Sequence, residues 1–200
     1  MRILLLPARF VAVALCAVVT GCFSPHTVVT RHFILTPAPA TEPATNGMRL
    51  GVRVVTLPDY LLNNSLAVRK GPGEVDYLEG SLWAERLDHG FERVLAVDLS
   101  AMIPTDQVYI GAWRTDAVAL EIHVSVERFD VDQTGNGSLV AWWRITTPGG
   151  VKVLKSGESR LAKAGKSPAA DSQNIATTLS DLTAEFARTL AQAIREVTPQ

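Results

Sequence analysis

From Val118 to Glu127 the chain alternates: Val118, Leu120, Ile122, Val124 and Val126 fall on one side, and Ala119, Glu121, His123, Ser125 and Glu127 on the other. A period of two predicts a strand with one face buried and the other wet. Turn residues follow at Asp132 to Gly137, then a second strand at Leu139 to Thr146, a turn at Pro148-Gly149-Gly150, and a third strand within Val151 to Leu161. That order reads as an antiparallel meander. Upstream, Leu50 to Leu57 carries Val52, Val54 and Val55 and stops at Pro58, which predicts a strand. Ser65 to Arg69 and Glu74 to Leu78, separated by Lys70-Gly71-Pro72-Gly73, predict a hairpin.

The period changes to steps of three and four from Ser81, a candidate N-cap, through Trp83, Leu87, Phe91, Val94, Leu95 and Leu99. This predicts a helix of about five turns that ends before Pro104. Ile175, Leu179, Leu182, Phe186, Leu190 and Ile194 repeat the pattern near the carboxy terminus, with Asp171 or Ser172 available as a cap. Arg31 to Leu35 predicts a short docked strand, and Pro37, Pro39 and Pro43 predict a loop near residues 36–47. The two helical stripes each need an apolar surface to cover. The expected class is therefore α+β, a single mixed and largely antiparallel sheet with two amphipathic helices packed on one face.

Trp142 and Trp143 are neighbours on a predicted strand, so their side chains leave opposite faces. Trp143 shares its side with Leu139, Ala141 and Ile145 and belongs to the expected core, whereas Trp142 lies with Val140, Arg144 and Thr146. Trp142 and Arg144 are then candidates for contact with a partner or a second copy. The alternative is that a loop or the amino-terminal strand covers Trp142.

The amino terminus has a different pattern. Arg2 and Arg9 precede an apolar run from Phe10 to Val19 that ends at Thr20-Gly21-Cys22. This is the layout of a secretory leader, and the uncharged run is too short for a stable span of about 30 Å of hydrocarbon. Val19-Thr20-Gly21-Cys22 resembles the lipobox of bacterial lipoproteins, in which the cysteine is acylated and becomes the first residue after cleavage. The alternative is an ordinary cleavage site with Cys22 as one of its small residues. On the lipobox reading residues 1–21 are a signal peptide, residues 22–200 form one domain, and Cys22 is the site of lipid attachment, palmitate included. Under Gram-negative sorting, Phe23 in place of Asp after the cysteine favours outer-membrane attachment facing the periplasm.

Composition narrows the chemistry. Residues 22–200 carry 17 basic and 20 acidic side chains without a basic run, so nucleic acid is not an expected partner. Cys16 and Cys22 are the two cysteines, which leaves no disulfide or thiolate metal cage downstream. His26, His32, His89 and His123 show no metal-ligand spacing, and neither a Gly-x-Ser-x-Gly elbow nor a P-loop occurs. No catalytic residue, metal or cofactor is assigned.

The early Phe33-Ile34-Leu35-Thr36-Pro37, Leu57-Pro58-Asp59-Tyr60-Leu61, Trp83-Ala84-Glu85-Arg86-Leu87 and Arg93-Val94-Leu95-Ala96-Val97-Asp98-Leu99, together with Cys22, resemble the PqiC-type (YmbA-like) ABC-type transport auxiliary lipoproteins of membrane-integrity-associated transporters. Leu82 and Arg86 depart from the usual Arg and Pro of the Trp-Ala-Glu motif. The resemblance implies a non-enzymatic auxiliary subunit of an MCE/ABC-type intermembrane lipid transport system. Its implied partner is an MCE-domain membrane protein, with self-association into a homo-oligomer. Most motif residues lie on expected core faces, while Asp59, Tyr60 and Glu85 are candidates for a docking surface. Two other readings stay open: an envelope-assembly lipoprotein without a transport role, and a lipid-tethered periplasmic hydrolase built around His123 or Asp130.

Overall fold

The computed structural model describes residues 29–39, 47–103 and 105–198. The expected leader, Cys22, Phe23 and most of the proline-rich segment lie outside the described residues. In chain order the elements are β1 (Arg31–Phe33), β2 (Met48–Thr56), β3 (Ser65–Gly71), β4 (Glu74–Trp83), α1 (Leu87–Met102), β5 (Thr105–Ile110), β6 (Leu120–Asp132), β7 (Gly137–Thr146), β8 (Val153–Lys163) and α2 (Gln173–Val197). All eight strands join one mixed sheet, and both helices pack against it, which is the expected α+β class.

Strand β6 organises the sheet. Along one edge it pairs antiparallel with β7, which pairs antiparallel with β8; these are the longest ladders. Its other edge is shared by two parallel strands in succession, β2 from Leu120 to Ser125 and β3 at Val131 and Asp132. β5 extends the β2 side in parallel, whereas β4 and then β1 extend the β3 side.

The alternating residues Leu120, Ile122, Val124 and Val126 face the helices and are buried. A bulge between Val126 and Arg128 then shifts the register, so that Phe129 and Val131 take over the core side. The bulge breaks the period of two, which is why the alternation in sequence stops short of the strand's true end at Asp132. Helix α1 supplies Phe91, Leu95 and Leu99 to the core, and α2 supplies Ile175, Leu182, Phe186 and Leu190.

Two expectations are corrected. The first helix begins at Leu87 rather than Ser81, because Ser81 to Trp83 end strand β4 and pair in parallel with Arg31 to Phe33. Trp83 and Leu87 are both buried and four residues apart, so a strand end followed by a helix start mimicked one helical stripe. Ser81 caps no helix; its Oγ hydrogen-bonds Ser172 Oγ at 2.9 Å. Strand β5 was not expected at all: its Thr-Asp-Gln-Val-Tyr-Ile sequence groups polar and apolar residues instead of alternating them, and its place comes from pairing with β2.

Beyond β1 the chain becomes a strap across both helices. Leu35 is buried and its carbonyl accepts from Arg93 of α1, Thr36 N–H donates to Ser180 of α2, and Ala38 N–H donates to Asp98 of α1. Burial pushes the Asp98 carboxyl up, against the lowering effects of the Ala38 N–H and of Arg188.

Where β7 meets α2, Gly137 lets the helix approach the sheet. An added Cβ would stand 2.6 Å from Thr178 Cγ2 and 2.8 Å from Leu182 Cδ1. Gly137→Ala is expected to cost about 1–3 kcal/mol through overpacking, whereas Gly73→Ala, which meets nothing within 4 Å, should be near neutral. Thermal unfolding of the two variants side by side checks this, and equal melting points would show that α2 yields freely.

Candidate functional site

Because both helices lie on one side, the opposite face of the sheet carries the polar half of each alternating strand. Register aligns Arg53 of β2, His123 of β6, Arg144 of β7 and Ser156 of β8 in one row. The next row holds Thr56, Ser125, Trp142 and Glu158. Paired residues in a sheet point to the same side, so these side chains converge on one surface.

The two tryptophans divide as expected. Trp143 is buried and donates Nε1–H to Ser159 Oγ at 3.0 Å, whereas Trp142 is 49% exposed and donates to Glu127 Oε1 at 2.7 Å. No strand or loop among the described residues buries Trp142. Beside it is a depression of about 300 Å³ lined by His123, Ser125, Trp142, Arg144 and Ser156.

The floor of this surface is braced by Glu121. Its Oε1 accepts from Trp113 Nε1–H at 3.2 Å and from Gly149 N–H at 2.9 Å, and these bonds together with His123 outweigh burial and hold its carboxyl below the usual range. Gly51 leaves room for the Trp113 ring, which an added Cβ would meet at 2.6 Å. The Arg53 guanidinium lies 4.9 Å from the centroid of the same ring, a cation–π contact. His123 Nε2 comes within 3.3 Å of Glu121 Oε2 without a hydrogen bond. Burial, then Arg144 and Arg53, push the imidazole below its ordinary value against the pull of Glu121.

Tyr60 occupies the other end of this face. Its hydroxyl donates to Asp130 Oδ2 at 2.8 Å, and Asp130 also accepts from Arg69 Nε at 2.8 Å and Arg128 Nε at 2.9 Å. Asp130 is only 1% exposed. Burial raises its carboxyl, but the donors from Arg69, Arg128 and Tyr60 more than offset this and leave it lowered. Tyr60 is pushed up to about 12, by burial first and by Asp130 second.

The sequence-derived candidates thus separate into three groups. Trp142 and Arg144 lie together on the open face. Tyr60 belongs to the Asp130 cluster, with Asp59 exposed beside it on a single helical turn. Glu85 is elsewhere: it pairs with Arg93, packs against Gly90 and so supports the strap at the helices. Cys22 lies outside the described residues. Arg53, Trp113 and Glu121 were not singled out from sequence; their polar positions were visible in the alternation, but their partners depend on register.

A hydrolytic site receives little from this geometry. His123 Nε2 has no hydrogen-bond partner among the described residues, and Ser125 Oγ is engaged with Thr56 Oγ1 at 2.6 Å, so the two do not form a base–nucleophile pair through that nitrogen. Asp130 is fully occupied by cationic and hydroxyl donors. Among the described residues no group of three His, Cys, Asp or Glu side chains is placed to hold a metal, and no helix is long and apolar enough to cross a membrane.

A family model for the ABC-type transport auxiliary lipoprotein component matches residues 33–191. Among solved structures, an uncharacterized protein is similar at TM-score 0.67 and 20% identity, over 83% of this chain and 99% of its own. A Xanthomonas campestris protein of the family designated DUF330 is similar at TM-score 0.64 and 16% identity, over 85% of this chain and 99% of its own. At such identities the likeness concerns the fold. No curated protein matches the sequence. With the match running from the buried Phe33 of β1 to the buried Ala191 of α2, the chain belongs to the ABC-type transport auxiliary lipoprotein family.

Proposed function

We propose that this protein is a non-enzymatic auxiliary subunit of an MCE/ABC-type intermembrane lipid transport system that maintains membrane integrity. In this reading residues 1–21 are removed, residues 22–200 act as one domain, and acylated Cys22 holds it on the periplasmic face of the outer membrane. More than one acyl chain is needed for stable anchoring, which a lipoprotein cysteine supplies. Family membership supports the transport role and a membrane-anchored place in the envelope.

The observation that carries the interaction role is the helix-free face of the sheet, where Trp142 remains 49% exposed beside Arg144. Aromatic and arginine side chains on an exposed sheet are suited to protein contact. This face is the proposed contact with an MCE-domain partner or a second copy, with Asp59 and Tyr60 at its far end. Glu85 contributes indirectly by bracing the strap.

Tagged full-length protein recovered from gently solubilised envelopes is expected to bring down an MCE-domain protein and to elute as more than one copy. Cys22→Ala should leave the membrane fraction. Trp142→Ala should weaken partner recovery by about 2 kcal/mol of binding free energy while unfolding as the parent does. Correct acylation with no MCE-type partner would sink the transport reading in favour of a free-standing envelope protein. Unchanged assembly in Trp142→Ala would remove the open face from it.

A further inference from the structure

Most arginines among the described residues are ion-paired, although Arg49, Arg188 and Arg195 hold no carboxylate there. Arg31, Arg69, Arg86, Arg93, Arg114, Arg128 and Arg160 each hold a carboxylate. Arg53 and Arg144 hold none among the described residues, yet they stand in one row on either side of His123. Neighbouring strands are about 4.8 Å apart, so the two arginines flank the imidazole within reach of a single small group. Three cationic or protonatable side chains are thereby set side by side, and like charges so placed repel unless an anion joins them.

The carboxylates on the neighbouring strands are committed elsewhere, and those on the helix side of Arg53 are Asp88, paired with Arg86, and Glu92. Glu121 is held by Trp113 and Gly149, Glu127 accepts from Trp142, and Glu158 pairs with Arg160. Beside the row is a depression lined by His123, Arg144, Trp142 and Ser156, with Trp142 as an apolar wall, whereas Arg53 lines a second hollow with Asp88, His89 and Glu92. Its chemistry therefore has two parts: a planar, multiply donating cationic floor and an adjoining aromatic surface.

We infer that Arg53, His123 and Arg144, walled by Trp142, form a binding site for a phosphate mono- or diester. Guanidinium pairs match phosphate oxygens in geometry and charge. His123 adds a third donor, and Trp142 offers contact to the carbon portion of an ester. A phosphoanion between the arginines reverses the field that they impose on the imidazole, so occupancy favours the protonated ring against its present tendency. Glu121, two residues away on the same strand with Oε2 3.3 Å from His123 Nε2, acts in the same direction. The site shares the open face with the proposed partner contact, but purified protein tests it without a partner, so either can fail alone.

The test uses full-length protein in a neutral detergent, with calorimetric titration and NMR of the His123 imidazole assigned by His123→Gln. Probes are dihexanoyl phosphatidylglycerol, glycerol 3-phosphate, inorganic phosphate and, as the uncharged control, dihexanoylglycerol. Saturable binding of a phosphate probe with a rise in the His123 pKa is expected. Each of Arg53→Gln and Arg144→Gln should weaken it about tenfold; both side chains are exposed, so each variant should still fold, with Arg53→Gln losing only its contact with Trp113. Preference for the phosphatidyl probe would identify a lipid headgroup as the source, and equal binding of glycerol 3-phosphate or inorganic phosphate would identify a soluble phosphate; either supports the site. Binding of dihexanoylglycerol as tight as that of the phosphates, binding that survives both substitutions, or no binding at all would overturn it.

Discussion

Phe91→Ala is expected to lower the free energy of unfolding by about 3–5 kcal/mol, a large share of the roughly 5–15 kcal/mol that a domain of this kind has. Phe91 is wholly buried on α1, with its ring 5.0 Å from Phe129 of β6 in an edge-on contact and 6.2 Å from Phe186 of α2. It thus joins both helices to the central strand. Truncation removes the aromatic contacts and leaves a cavity between elements that cannot all close in together, because α2 is already against the sheet at Gly137. A urea titration of full-length protein in detergent, read by circular dichroism, should show a lower midpoint with an unchanged slope. A loss below about 1.5 kcal/mol would mean that the helices collapse into the gap, contrary to the rigid packing argued here.

Asp130→Ala should cost about 3 kcal/mol, at the lower end for a broken buried pair because Arg128 can turn to water. Its carboxylate answers Arg69, Arg128 and the Tyr60 hydroxyl at once, and its removal leaves the Arg69 guanidinium, 18% exposed, without its acceptor. Replacing both Asp130 and Arg69 with apolar residues of similar size should recover part of the loss, since the penalty lies mainly in the stranded charge. If the double variant is no better than Asp130→Ala, the cluster owes its stability to something other than this pair.

The same carboxyl predicts a pH dependence. Its pKa is lower in the folded protein than the unfolded value of about 3.9. Its contribution is therefore complete above that value and is lost as pH falls through the folded pKa. The stability gap between the parent and Asp130→Asn should be constant near neutrality and should close below about pH 4.

How much of this was legible in the sequence follows from the range of each interaction. The alternation from Leu120 to Val126 and the stripe from Ile175 to Ile194 stated which residues are buried, because strand and helix periods depend on local geometry alone. The opposite directions of Trp142 and Trp143 followed from the same rule. The family motifs were legible as well, and their large apolar residues Leu57, Trp83, Leu87, Val94 and Leu95 are core residues.

What failed locally failed for non-local reasons. Ser81 to Trp83 are strand because β1, some fifty residues away in sequence, pairs with them. Thr105 to Ile110 is strand because β2 offers an edge. Arg53, His123 and Arg144 are unremarkable separately, and Glu85 looked like a surface carboxylate until Arg93 and the strap were placed around it. The sequence by itself determined the periods of the main elements, the α+β class and the family. Only the tertiary structure decided strand order, the bulge in β6, the strap and the row of cationic side chains on the open face, since register and neighbour choice are set by contacts between distant segments whose pairing no local period specifies.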